Sequence, residues 1–190
     1  MSRMGDAEVN DTATTKGAQT RRVILAAAID RFGRDGYRAT SVADIARDAG
    51  VGGTVAYAYF HNKEALFLAA IDEDAAGVIG EGVDLVGAEV EGDWRVDLVF
   101  RLIEAVDRHP LARRLLAGLE PEVTARVLGI PALEELRKGV AERLRSEQVS
   151  GAVRADIDPV STANGVVAIL LSLLMSVVQL GNDVALPYAD

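Results

Sequence analysis

Residues 20–71 read TRRVILAAAIDRFGRDGYRATSVADIARDAGVGGTVAYAYFHNKEALFLAAI, a run of short helical patterns broken by glycines. From Thr20 to Arg34 the apolar positions Leu25, Ala28, Ile29 and Phe32 recur at helical spacing, and Gly36 ends the segment. A short second helix follows, with Ser41 three residues ahead of Asp44 as a capping-box-like start and Val42, Ile45, Ala46 and Ala49 as one buried stripe. Gly50 stops it. Gly52 to Phe60 holds two turns of a third helix, and Asn62-Lys63-Glu64 restarts the chain into a longer one carrying Leu66, Phe67, Ala70 and Ile71.

A capped short helix, a tight glycine turn and a second short helix with a free outward face make the helix-turn-helix pattern, which lays its second helix in the major groove. Ser41 at the first helix start, Gly50 at the turn and the apolar set Ile45, Ala46, Val51 and Phe60 meet its physical needs. A generic helical hairpin has the same pattern, so on pattern alone both readings stand.

The stretch also resembles the DNA-binding domain of the tetracycline-repressor (TetR) family of bacterial transcriptional regulators. The matching elements are Ile24-Leu25, Ala27-Ala28, Phe32, Gly36, Thr40-Ser41, Ile45-Ala46, Ala49-Gly50-Val51, Tyr57-x-Tyr59-Phe60 and Lys63-Glu64-x-Leu66. Many short elements in the right order are a far more specific signal than one motif. The resemblance implies an all-α homodimer in the bacterial cytoplasm, associated with the nucleoid when on DNA. It would have three N-terminal helices on double-stranded DNA, a linking fourth helix, and a C-terminal body with an effector pocket and the dimer interface. By the same resemblance Thr40 and Ser41 fall where the family contacts phosphate, a role that helix capping accompanies or replaces. Tyr57, Tyr59 and Lys63 fall where it contacts the backbone around the groove, and Phe60 is expected in the core.

The chain departs from the family pattern at Gly52 and Gly53, where a polar residue and then Lys, Arg or Pro are usual, and at Ala56, where Leu usually anchors the recognition helix. Paired glycines cost helix stability, about 1 kcal/mol each in an interior. Either bare backbone approaches DNA there, or the helix has drifted while Val51 and Phe60 hold it. The base readers narrow to Thr54, Val55 and Tyr57, which offer hydroxyl hydrogen bonds and apolar contact with thymine methyls. With no Arg or Gln on this helix, phosphate and shape contacts are expected to carry much of the recognition.

The whole chain of 190 residues has a formal net charge of −9, but the charge is uneven. Residues 1–15 carry −2, residues 16–71 carry +3 and residues 72–190 carry −10. A mildly basic segment in an acidic chain fits a nucleic-acid-binding module, and equally an ordinary solvated surface. Cysteine is absent and histidine occurs twice, which excludes a disulfide scaffold, Cys-rich zinc sites and Cys nucleophiles. The start, MSRMGDAEVNDTATTKG, has no apolar run and reads as neither a secretory signal nor a transit peptide. Residues 1–16 are expected to be a disordered tail, 17–62 the DNA-binding domain and 63–190 the effector-binding and dimerisation body.

Beyond Ile71, glycines at 77, 80, 82, 87 and 92 predict that the fourth helix ends or kinks between Ile79 and Gly82. Further helices are expected over Trp94–Arg108, stopped by His109-Pro110, over Leu111–Leu119, from Pro121, over Ala132–Ser146 and from Pro159. The stretch from Pro159 to Asn182 contains no charge. It is long enough to span a membrane, but Ser161, Thr162, Asn164, Ser172, Ser176 and Gln179 interrupt it and no basic cluster flanks it, so a soluble reading is preferred. Val166, Ile169, Leu170, Leu173, Leu174, Val177 and Leu180 give a face broad enough for two neighbours. Val166, Leu170, Leu173, Val177 and Leu180 are assigned to the dimer interface that the resemblance implies. The family body continues with one more helix, for which NDVALPYAD after Gly181 is too short.

Phe67, Trp94, Phe100 and Met175 are the bulky candidates for lining an effector pocket, although such residues also fill plain cores. No Ser/His/Asp order, phosphate loop or HExxH pattern is present. His61 and His109 read as surface or cap residues and Glu134, Glu135 and Glu142 as a solvated face, so no catalysis, metal or cofactor is expected. The leading expectation is a regulator released from a pseudo-palindromic operator by a small, largely apolar effector. The rival is a helical protein-interaction adaptor that has lost DNA binding, which Gly52, Gly53 and Ala56 allow.

Overall fold

The computed structural model describes residues 5–89, 92–123 and 129–181, with side chains from Lys16 onward. It is all-α, as the sequence implies. Among the described residues eight α-helices run in order: α1 (Gly5–Ala39), α2 (Val42–Asp48), α3 (Gly53–Tyr59), α4 (Lys63–Gly87), α5 (Trp94–Arg108), α6 (Pro110–Leu116), α7 (Pro131–Ser150) and α8 (Pro159–Leu180). Two compact units result, Met1–Ala70 and Ile71–Asp190.

In the first unit α1, α2 and α3 pack on one another. Ile24, Ala28, Phe32, Ile45, Ala56 and Leu66 are sealed from water and form its core. The helical path of α1 breaks at Gly36, whose φ of 82° and ψ of 169° lie outside helical space, a conformation that glycine adopts without a Cβ penalty. Two expectations need correction here. The backbone of the segment expected as a tail is helical from Gly5. The unit also extends into α4 rather than stopping at residue 62, because Phe67 packs edge-on against Phe32 at 4.8 Å between ring centroids and lies 4.7 Å from Tyr37.

In the second unit α7 packs along α8, and α5 and α6 pack against each other and against α8. Local caps set several ends. Asp93 accepts a hydrogen bond from the Arg95 amide at 3.0 Å and starts α5. Asp158 accepts one from the Ser161 amide at 2.8 Å and starts α8. The limits Trp94–Arg108 agree with the sequence reading. α6 stops at Leu116, short of Leu119, and α7 continues past Ser146 to Ser150 before Gly151 closes it at φ 81°. Residues 121–123 form a tight turn that Pro121 opens, and the segment expected to continue from it lies partly outside the described residues, as does NDVALPYAD after Gly181.

The expected break in α4 does not occur. The helix continues through Gly77, Gly80 and Gly82 because two of these glycines answer to packing. A Cβ on Gly82 would stand 3.0 Å from Leu102 Cδ2 and 3.1 Å from Leu98 Cδ1, and one on Gly77 would stand 2.2 Å from the His109 ring. Burial against α5 offsets the intrinsic helix penalty of glycine. The room at Gly77 lets His109 Nδ1 approach Asp74 Oδ1 at 2.8 Å. The other oxygen of this buried carboxylate accepts the amides of Leu111 and Ala112 at 2.9 and 2.8 Å. α6 has no side-chain cap from its own N-cap residue, so α4 supplies one.

Candidate nucleic-acid interface

Ser41 is the N-cap of α2 in extended conformation, and its Oγ accepts the Asp44 amide at 3.1 Å. The hydroxyl in turn donates to Asp44 Oδ2 at 2.7 Å, and Arg47 Nη2 donates to Asp44 Oδ1 at 2.5 Å. These two contacts, the Ser41 hydroxyl first, hold the Asp44 carboxyl below its ordinary range. A phosphate approaching Ser41 therefore meets an ionised carboxylate already bound there. Thr40 is placed differently from the expectation: it is only 3% exposed and donates its hydroxyl to the Gly36 carbonyl at 2.8 Å. Its position satisfies the backbone where α1 breaks, and it does not stand at the surface as a phosphate contact would.

The turn into α3 depends on Gly50, at φ 67°, in the left-handed region that side chains disfavour. The Val51 amide then bonds to the Ala46 carbonyl at 2.9 Å. Ala56 and Phe60 are buried and fix α3 from within, the small Ala56 filling the anchoring position completely at 0% exposure. Gly52, Gly53, Thr54, Val55, Tyr57, Ala58 and Tyr59 all face outward. The structure thus brings the expected base readers and both glycines onto one exposed face. Among the described residues a Cβ on Gly53 would meet nothing within 4 Å, and one on Gly52 would meet only Val55 Cγ2 at 3.7 Å, so no described neighbour requires glycine at either position.

Lys63 is half-buried, with its Nζ 4.3 Å from the centroid of the Tyr37 ring. The ring face attracts the cation and fixes its place at the start of α4, where Asn62 Oδ1 caps the helix by accepting the Ala65 amide at 2.7 Å. Arg21 was not singled out from sequence. Its guanidinium lies 5.2 Å from the Phe60 ring, beside the end of α3, and only the unplaced +3 of residues 16–71 hinted at it.

The second unit contains a cavity of about 50 Å³ lined by aliphatic side chains of α4, α5, α6, α7 and α8 together with Ile130. Ala75, Val78 and Ile79 come from α4, Leu102 from α5, Ala112, Leu115 and Leu116 from α6, and Leu170, Leu171 and Leu174 from α8. None of the four expected pocket residues lines it. Phe67 belongs to the core of the first unit. Trp94 is buried at the head of α5, where its Nε1 donates to Glu147 Oε1 at 2.6 Å and Glu147 also binds Arg95. Phe100 is 44% exposed, and Met175 is half-buried on α8 outside the cavity. The lining residues are small and aliphatic, with no bulky side chain among them to mark a pocket in the sequence.

α8 divides the expected interface set. Ala163, Val167, Leu170, Leu174 and Val177 are buried within the unit, so Leu170 and Val177 belong to its core and are corrected out of the interface. Val166 and Leu173 are half-buried, and Ile169 and Leu180 are 68% and 62% exposed. By length and composition α8 could cross a membrane, with a mean hydropathy of 2.0 over its most apolar window. Its buried stripe against α7 accounts for part of that apolar content equally well. Among the described residues no group of three or more His, Cys, Asp or Glu side chains is arranged to hold a metal ion.

Residues 24–70 match the family model described as bacterial regulatory proteins, tetR family. The chain is 26% identical over 161 residues to the HTH-type transcriptional regulator UidR of Escherichia coli, covering 80% of this chain and 79% of that one. Among solved structures it is similar in fold to GusR of Salmonella enterica, with a TM-score of 0.62, 24% identity, and 88% and 86% of the two chains covered. It is also similar to a γ-butyrolactone receptor described as an ArpA-like protein, with a TM-score of 0.56, 27% identity, and 90% and 81% covered.

Proposed function

We propose that this chain, a transcriptional regulator of the TetR family of bacterial regulatory proteins, is a cytoplasmic repressor that binds a pseudo-palindromic operator as a homodimer. The observation that carries the reading is the outward face of α3, where Thr54, Val55 and Tyr57 stand exposed around the buried anchors Ala56 and Phe60. Such a face offers hydroxyls and methyl groups to base edges. Gly52 and Gly53 let the backbone come close, and Tyr59, Lys63 and Ser41 border it as candidate phosphate contacts. Ser41 would exchange its bond to Asp44 for one to phosphate. Thr40 supports the face from within.

A homodimer through the outward side of α8, with Val166, Ile169, Leu173 and Leu180, would hold two α3 helices at a fixed spacing on neighbouring turns of DNA. The aliphatic cavity supports release by a small, apolar effector, and the similarity to a γ-butyrolactone receptor is in keeping with a small organic ligand. α4 starts in the first unit and lines the cavity in the second, so an effector that prefers one placement of α4 would change the affinity for DNA.

Equilibrium binding to duplex DNA over a series of salt concentrations separates this reading from that of a protein-interaction adaptor. A regulator loses affinity linearly in log–log form as salt rises, with a slope set by its phosphate contacts. Absence of measurable, salt-dependent duplex binding would leave the adaptor.

A further inference from the structure

We propose that α1 and the end of α3 share one further site for a phosphate of the DNA backbone, held by the Arg21 guanidinium and the Tyr59 hydroxyl. The inference rests on the regulator reading and adds a contact made by α1, outside the residues that face base edges.

The buried stripe of α1, with Ile24, Leu25 and Ala28, continues towards the N-terminus as Arg21 and, one turn further, Gly17. This end of the stripe lies against the end of α3. The Arg21 guanidinium stands 5.2 Å from the centroid of the Phe60 ring, and a Cβ on Gly17 would stand 3.7 Å from Tyr59 Oη. Positions four apart on a helix are neighbours, with about 5–6 Å between their Cβ atoms, so the Tyr59 hydroxyl and the Arg21 head belong to one corner of the unit. Phe60 is buried there while Arg21 and Tyr59 are exposed. The ring face seats the cation, its methylenes cover apolar surface, and its N–H groups together with the tyrosine O–H are the donors that a phosphate oxygen accepts from.

Charge singles this corner out. In the same unit Arg31 pairs with Asp48, Arg34 with Asp35 and Arg47 with Asp44, and Asp44 also accepts the Ser41 hydroxyl at the start of α2. At each of these a phosphate has to displace a carboxylate. Among the described residues no carboxylate pairs with Arg21 or with its neighbours Lys16 and Arg22. A phosphate at the start of α1 therefore meets cations that exchange only water and counterions for it.

The test uses the full-length protein, the duplex it selects from a random pool and a duplex of unrelated sequence, over a series of salt concentrations. Arg21→Met keeps an apolar chain over Phe60 and removes the charge. It should retain the thermal midpoint of the parent, bind both duplexes about ten-fold more weakly and lose about one unit of salt slope, whereas Arg21→Lys should keep the slope. Single phosphates of the selected duplex are then replaced by uncharged methylphosphonates. One linkage in each half-site should cost Arg21→Met and Tyr59→Phe less affinity than it costs the parent, because each variant already lacks one partner of that phosphate. An unchanged slope in Arg21→Met, or a lowered midpoint as its only effect, overturns the phosphate contact and leaves Arg21 as a cover for Phe60. Reduced sensitivity of the two variants at different linkages overturns the shared site. The failures are distinguishable: a parent that binds neither duplex removes the regulator reading as well, whereas a salt-dependent parent matched by Arg21→Met removes this site alone.

Discussion

In the first unit the residues argued to act stand outside, on the exposed face of α3, while Ala56, Phe60, Ile45 and the Gly50 turn hold that face from beneath. In the second unit the space argued to act lies inside, among the aliphatic side chains of five helices. An outward face can change its chemistry at Thr54 or Val55 without disturbing the support below. An inward cavity is made of the packing itself, so each of its residues answers both to stability and to ligand. Substitutions in the first unit are therefore expected to separate binding from folding, and those in the second to mix them.

The largest effects are expected on α8, where the two kinds of position alternate. Val177→Glu places a charge in the buried stripe, which costs several kcal/mol when unpaired, and should unfold the second unit as seen by loss of its cooperative melting transition. Leu173→Glu, on the half-buried side, should leave helicity intact and dissociate the dimer in sedimentation, lowering operator affinity by about 100-fold or more because the two heads no longer bind as one ligand. A Leu173→Glu protein that remains dimeric with full affinity would take the interface off this face.

Next is Thr40. Thr40→Val leaves the Gly36 carbonyl without its partner inside the core, a loss of about 1–3 kcal/mol measurable as a lower urea midpoint. Thr40→Ser should recover most of it. DNA affinity of the folded fraction should stay within about two-fold, since the structure gives this hydroxyl to the backbone. A large loss of affinity with unchanged stability would restore Thr40 as a phosphate contact.

The contrast between Thr40 and Ser41 shows what sequence reading reaches. Ser41, Asp44 and Gly50 act through neighbours a few residues away, and their roles in cap and turn were legible as local patterns. So were the limits of α5 at Trp94 and Arg108, the second through His109-Pro110. Thr40 is buried because α1 breaks four residues earlier and offers a carbonyl, a geometry with no signature of its own. The glycines of α4 suggested a break, yet Gly77 gives room to His109 at the junction of α5 and α6, and Gly82 to Leu98 and Leu102 of α5. The cavity was missed for the same reason. Its lining joins residues from Ala75 to Leu174, and only the packed chain brings them together, while the aromatic side chains that drew attention had tasks elsewhere. α8 showed an apolar face in sequence, but which side would turn inward depended on α7.

A smaller effect tests the electrostatics around α3. Lys63→Ala should weaken specific and nonspecific duplexes about equally and reduce the salt slope by about one unit, as loss of one phosphate contact requires. An altered base preference at an unchanged slope would show that Lys63 has another role. The smallest concerns the α8 cap. Hydrogen bonds from Ser161, first from its side chain and then from its amide, hold the Asp158 carboxyl below its ordinary value of 3.8. The stabilisation is present above the unfolded value and fades as pH falls through the lower folded one. Asp158→Ala should therefore be less stable than the parent at pH 6 and converge with it near pH 2 in urea titrations. A difference that persists undiminished at pH 2 would mean that the charge is not what caps the helix.

Whether the outward face of α3 reads DNA in a paired arrangement is decided by selecting duplexes from a random pool, side by side, with the parent, Thr54→Ala and Val55→Ala. The parent should enrich a pseudo-palindrome with half-sites about one helical turn or a multiple of it apart. Each variant should enrich a sequence changed in both half-sites at the same base positions, with the original base disfavoured by about 1–3 kcal/mol relative to the parent. Enrichment of one identical sequence by all three proteins, or of none by the parent, would contradict paired reading by α3.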